Sequence, residues 1–553
     1  MKTFLRNLIY GLIRRGVMWR DNRDPTSKWF PTCLGQNFLY APLLPDATGE
    51  AYFTKYHAEK ANNPLAINFK RYKTDILKGS YVPANTAHEF QIDVPSAVPY
   101  AVTGGDITRQ EGGYSAQLHV NGQRHDFGNL IADRYYYLPV REPAKLKFQS
   151  PHDLVVARPI PFVQQKKHRH RLVLVLFVDN FGWEILDRLD FAREFPNIHR
   201  FFLKGTAFNN CYASSNWTLP GVASLVSGKT LSHHGMFHSD RPDMQLGNGY
   251  GVLPEYFQKD GYLTFQVCGN TRKSPAYGYV KGYDRTVFKN EMSLAETLDA
   301  FVDHLRAFPE RDHFAWVTIF DAHHTLANVP DVANQVVTPL AGHDYRVQKA
   351  KTPMMLLYNE GQTLRHIEEL RRIDFHLGRL FEFLQQRYSD DEMLACIVAD
   401  HGPAFTTPAP QFLSHKKTHV ALMFRGPGVP PGGRTDEYVQ NTDVMPTLLH
   451  LAGIPLRDNI DGRIPAALGG PPPREFALSE LMYPDKPYEA AIKDPRFDFF
   501  LKSETMVDDD GRFKIGRPET RLYRSRDWQT DLSAEHPEVV AKYTDYVRRL
   551  VDQ

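Results

Sequence analysis

The chain has 553 residues, too many for one ordinary domain, and its 42% hydrophobic content is ample for a sizeable core. A charged fraction of 24% and a formal net charge of +2 give no global field that would draw nucleic acid or an acidic polymer. No apolar stretch reaches the ~18 residues of a membrane span, and no low-complexity tract or internal repeat stands out.

Residues 1–80 read as a helical or irregular segment. The first 19, MKTFLRNLIYGLIRRGVMW, make a poor signal peptide: Arg6, Arg14 and Arg15 interrupt the apolar run and no small-residue cleavage site follows. Phe4, Leu5, Leu8, Ile9, Leu12 and Ile13 share one helical face beside basic residues. That suits a membrane-surface helix, and equally a helix docked on its own protein. The expected location is cytoplasmic, with peripheral membrane contact through residues 1–19 as the variant.

Over residues 81–165 the texture changes. HEFQIDVP, YSAQLHVNGQRHDF and AKLKFQS alternate apolar and polar residues between Gly, Asn and Pro, which predicts short antiparallel strands in a small sandwich-like accessory domain. Gln164–His170 (QQKKHRH) reads as a basic linker.

An α/β catalytic domain is expected over residues 168–470. Leu172–Val178 is a continuous apolar run, as in a strand buried on both faces of a parallel sheet, and it ends in Asp179–Asn180. FPNIHRFFLKG follows with helical spacing. HFAWVTIFDAHH and MLACIVADHG repeat the strand arrangement, each delivering acids and histidines at its end. Leu364, Ile367, Leu370, Ile373, Leu377, Leu380 and Leu384 step along a long amphipathic helix between them. Alternating strands and helices predict helices on both faces of one sheet, with ligands bound outside the carboxyl ends of the strands. Cys33, Cys211, Cys268 and Cys396 form no CxxC pair; Cys268 and Cys396, in apolar stretches, are expected to be buried free thiols.

Asp179, Asn180, Asp400 and His401 offer three oxygen donors and an imidazole, a set that suits a divalent cation: Mg, Mn, Ca or Zn. Alone, Asp-Asn is an ordinary helix cap; three strands delivering such groups to one crevice is a site. NWTLPGVASLVSGKT adds a hydroxyl. Thr218 precedes a Leu219–Pro220–Gly221 turn and a helix, so it is either a nucleophile facing free N–H groups or simply the N-cap.

From about Leu172 onward these segments resemble the sulfatase-like family of the alkaline phosphatase superfamily. FVDNFGWEIL is similar to its opening strand. FPNIHRFFLKGTAFNNCYASSNWTLPGVASLVSGKTLSHHG is similar to its signature region, FDAHHTLANVP to its Asp-Pro-His segment and VADHG to its Ser-Asp-His-Gly. VALMFRGPGV, NTDVMPTLLHLAGIP and DGRIPAAL resemble later landmarks, and TRLYRSRDWQTDLSAEHPEVV resembles the C-terminal subdomain, here residues 471–553.

The resemblance implies one cation held by Asp179, Asn180, Asp400 and His401. It implies that His323 contacts the oxyanion or leaving group, and that one of His415, Lys416 and Lys417 binds non-bridging oxygens. Lys229, His324 and His419 are further candidates. A second ion on Asp321, His324 and His415 or His419 is the two-metal alternative. The family's formylglycine precursor, Cys or Ser, is here Thr218, and the Arg expected shortly after is Val222. Oxidising threonine gives a ketone, not an aldehyde. The sequence therefore reads as a phosphoester or phosphonate hydrolase or phosphotransferase working through Thr218, on a small-molecule, glycan or lipid-headgroup ester. Sulfate-ester hydrolysis is the first alternative. A binding protein on an inactive sulfatase scaffold is the second, opposed by the intact acid set, since buried unpaired acids are costly without a cation.

Overall fold

The computed structural model describes residues 166–552, except 188, 239–243, 248, 275–276, 290–291, 325–355, 407 and 409–410, together with strand segments between 51 and 157 and residue 160. The membrane-contact expectation for residues 1–19 lies outside the described residues.

Leu172–Val178 (β1) is buried along its whole length, as its unbroken apolar run requires. The chain continues through Gly205–Tyr212 (β2), Leu263–Cys268 (β3), Arg285–Phe288 (β4), His313–Ile319 (β5), Met393–Val398 (β6), Leu422–Arg425 (β7) and Gly433–Gln440 (β8). Their order across the sheet is β8-β2-β7-β6-β1-β5-β3-β4. β1, β3, β4, β5 and β6 run parallel, while β7 is antiparallel to both neighbours. Register decides where the chemistry lands. Val178 pairs with Ile319, and Phe177 with Val398, so the three central strands end level. Asp179, the turn after Ile319 and Asp400 all emerge at one edge.

The expected long helix spans Glu360–Arg387 and buries Ile367, Leu370, Ile373, Leu377, Leu380 and Leu384. Cys211, Cys268 and Cys396 are buried free thiols. Among the described residues no helix is long and apolar enough to cross a membrane.

The strands expected before residue 165 are present and antiparallel. Gly79–Val94 does more than join them: its first residues pair with β4 (Thr286 opposite Tyr81), extending the central sheet at that edge. A four-stranded antiparallel sheet, Ala477–Leu481, Pro487–Lys493, Phe497–Met506 and Glu519–Arg524 (β9–β12), carries the C-terminal helix Pro537–Val551 over its own apolar core.

Three core histidines make this fold acid-sensitive. His304 stacks on Phe265 at 4.0 Å, and neither ring nitrogen has a hydrogen-bond partner among the described residues. Burial holds His304 well below 6.5, His313 down to about 4 and His234 down to about 3. Below pH ~6.5 the unfolded chain takes up protons on these rings and the folded chain does not, so stability falls with pH. Each histidine costs on the order of 1.4 kcal/mol per pH unit until its folded value is reached. Denaturant midpoints should therefore drop between pH 7 and pH 5, and His304→Phe should remove part of the drop. Equal midpoints at both pH values would contradict this.

Candidate active site

Helix α1, Thr218–Ser227, begins at Thr218 itself, not after Gly221 as the turn-like Leu-Pro-Gly suggests. Pro220 is tolerated because first-turn N–H groups have no partner within the helix. Trp217 is the N-cap residue, with no side-chain cap bond, so the Thr218 hydroxyl is not the cap. It points instead at the strand ends: Oγ1 lies 3.4 Å from Asp179 Oδ2 and 3.3 Å from His401 Nε2.

Asp179, Asp400 and His401 offer ligand atoms that all lie within 4.8 Å of one another. Asp179 and Asp400 are wholly buried. Burial, followed by the charge of Asp400, pushes the Asp179 carboxyl well above its usual range, and burial raises Asp400 too. Asp179 Oδ1 and Asp400 Oδ2 have no hydrogen-bond partner among the described residues. His401 Nδ1–H donates to the Gly402 carbonyl at 3.1 Å. That sets the neutral tautomer and leaves the Nε2 lone pair toward the two carboxylates. Asn180 is buried beside Asp179 with φ 64, a left-handed conformation that Asn tolerates better than most residues. Two partnerless carboxylate oxygens and an imidazole lone pair fit a divalent cation.

The other expected site residues separate. Lys416 and Lys417 lie on the short helix His415–Thr418 (α2), whose Lys417 carbonyl accepts from Gly402 N at 2.7 Å. Both are buried. Burial lowers Lys416; burial and then the Lys416 charge bring Lys417 down to about 7, its ammonium 4.7 Å from the Phe412 ring. His323 stacks on Phe320 in the turn Asp321–His324, which continues β5 at the same edge. His324 shares that turn.

Lys229 is not brought to the site. It follows a ten-residue helix, which at 1.5 Å per residue carries it about 15 Å from Thr218, and its Nζ donates to Asn459 O at 2.7 Å. His415 is committed to Asp498 at 2.8 Å, and His419 to Asn209 O at 2.7 Å. Asp321 Oδ1 accepts from Arg372 and from Leu294 N at 3.3 Å, while its buried Oδ2 has no hydrogen-bond partner among the described residues. Of the residues named for a second ion, His415 and His419 are thus engaged elsewhere.

One contributor escaped the sequence reading. Asn270, in the loop after β3, donates from Nδ2 to Asp179 Oδ2, while its Oδ1 accepts from Arg272 N at 2.7 Å. The backbone bond sets the amide's orientation, so Asn270 holds Oδ2 and leaves Oδ1 for a cation. Its only sequence signal is its place at the carboxyl end of a buried strand. Asn270→Ala should weaken cation affinity ~10–100-fold, the usual cost of losing such a support. Unchanged affinity in a metal titration would refute this role.

A mixed-sheet α/β fold with acids and an imidazole at its strand ends, faced by a hydroxyl at a helix start, is consistent with the alkaline phosphatase class of architecture. The sulfatase family profile matches residues 171–454, about half of the chain, and the chain belongs to that family. An extracellular sulfatase Sulf-1 homolog of Caenorhabditis elegans is 30% identical over 103 residues, 18% of this chain and 14% of that protein. The match thus spans about a seventh of that relative's length. A sulfatase from Bacteroides thetaiotaomicron superposes with a TM-score of 0.54 at 16% identity, over 70% of this chain and 92% of its own. A phosphonate monoester hydrolase of Agrobacterium radiobacter gives 0.52 at 16% identity, over 68% and 95%. At such identities the likeness is one of fold.

Proposed function

We propose that the protein is a metal-dependent hydrolase or transferase acting on phosphodiester or phosphonate esters through Thr218. One observation carries this reading. A threonine hydroxyl, which cannot yield formylglycine, sits at a helix N-terminus 3.3–3.4 Å from two groups of the acid–imidazole cluster. A bound divalent cation would neutralise the carboxylates and polarise an ester oxygen.

Thr218 Oγ1 attacks phosphorus, an ester P–O bond breaks, and the hydroxyl proton leaves with the departing alcohol. The N–H groups of the first turn of α1 face the negative oxygens. Lys416, with His323, stabilises them as charge develops, and Lys417 supports from behind. Water or an acceptor alcohol then cleaves the phosphothreonine in a second displacement, restoring the hydroxyl.

Sulfate esters have similar shape and charge, so pocket geometry discriminates little between the two classes. The nucleophile does discriminate. A formylglycine hydrate releases sulfate by collapse of its hemiacetal, whereas a threonine sulfate needs a second attack at sulfur. Turnover of matched aryl phosphodiester, phosphonate, phosphomonoester and sulfate substrates across Mn, Zn, Mg and Ca tests the reading. Phosphodiester or phosphonate should be turned over fastest. Efficient sulfate release without phosphoesterase activity would make the protein a sulfatase.

A further inference from the structure

His415 and Asp498 are 83 residues apart and both fully buried. His415 begins α2, the turn that carries Lys416 and Lys417. Asp498 lies on β11, in the C-terminal sheet. His415 Nε2–H donates to Asp498 Oδ2 at 2.8 Å, and Nδ1 accepts from the Tyr212 hydroxyl at 3.4 Å. Both ring nitrogens are therefore committed within the fold. Asp498 also accepts from Trp528 Nε1 at 2.9 Å and Arg526 N at 3.2 Å. Burial alone would raise its carboxyl; His415, Lys493 and Trp528 hold it below the usual range. The Lys493 ammonium is buried over the Tyr212 and Phe500 rings at 5.6 and 5.7 Å, with no hydrogen-bond partner among the described residues.

From His415 the backbone leads straight to the cluster. Lys417 O accepts from Gly402 N at 2.7 Å, and Gly402 O in turn receives His401 Nδ1–H at 3.1 Å. A side chain at Gly402 would collide with Lys416 O, so the two segments have no slack between them.

We infer that the Asp498–His415 pair is a strut by which the C-terminal subdomain positions α2 against the His401–Gly402 loop, setting both the cation ligand and Lys416. Asp498 is a positioning residue: it touches neither cation nor substrate. The inference rests on the roles proposed above for His401 and Lys416.

The test compares Asp498→Asn with Trp528→Phe in the full-length protein, the latter removing another donor to the same carboxylate. Mn affinity is measured by titration, and kcat and KM on the best ester. Asp498→Asn should weaken Mn binding ~10–100-fold and lower kcat by a similar factor, while Trp528→Phe leaves both within about twofold. If Asp498→Asn fails to fold, His415→Gln replaces it with the same expectation. Where both fold, the double variant should be no worse than either single, because one link is lost only once. Equal effects of Asp498→Asn and Trp528→Phe, or additive losses in the double variant, would overturn the strut. Wild-type protein that binds Mn but turns over no ester would sink the catalytic reading instead, and the affinity arm would still decide the strut.

Discussion

Thr218→Ala is expected to lower turnover by ~10³-fold or more while the protein folds and binds its cation normally. Losses of that size follow removal of a catalytic nucleophile. The folding expectation comes from the site itself. Thr218 is not the helix cap, its Oγ1 contacts are long at 3.3 and 3.4 Å, and the remaining nine residues of α1 stay buried. Steady-state kinetics with a metal titration separates chemistry from binding. Turnover within tenfold of wild type would remove Thr218 from the chemistry.

The second large effect is expected at Gly221. Helix propensity alone favours alanine there, by about 1 kcal/mol. Packing opposes it: a Cβ at Gly221 would lie 2.9 Å from the Asp400 carbonyl oxygen and 3.0 Å from the Asp400 Cβ. These are atoms at the end of a central strand, not a flexible side-chain tip. Either Asp400 or the start of α1 must shift by a few tenths of an ångström, and Thr218 moves with the helix. Misplacement of about 1 Å costs on the order of 10²-fold in rate. Gly221→Ala should therefore lose ~10–100-fold in kcat with small change in thermal stability. Full activity would show that the helix start has room to move.

Much of this was legible in the chain. The apolar runs ending in Asp179, Asp321 and Asp400 gave three buried strands, because period-free apolar stretches of six or seven residues have few other uses. Their parallel register then brought Asp179 and Asp400 together. The long amphipathic helix followed from its spacing.

What stayed hidden was contact over long sequence distance. Asn270 reaches across 91 residues to Asp179, and Asp498 across 83 to His415; neither lies in a local pattern that marks its partner. Pairing of Gly79–Val94 with β4 is likewise invisible to alternation, which sets the faces of a strand but not its neighbour. Lys229 is a different matter. Nine helical residues and the capping Gly228 separate it from Thr218, so helix rise alone places it far from the site.

The central claim is that Thr218 carries the transferred group. Its most direct measurement is intact-mass and peptide-mass analysis of protein quenched during turnover of an aryl phosphonate or phosphodiester, with the second nucleophile made poor by low water activity. Before substrate, the peptide containing Thr218 should have its unmodified mass. During turnover it should gain a phosphoryl or phosphonyl group, about 80 Da plus any retained alcohol, that disappears when the acceptor is restored. An unmodified Thr218 throughout productive turnover, or an adduct on another side chain, would contradict the account.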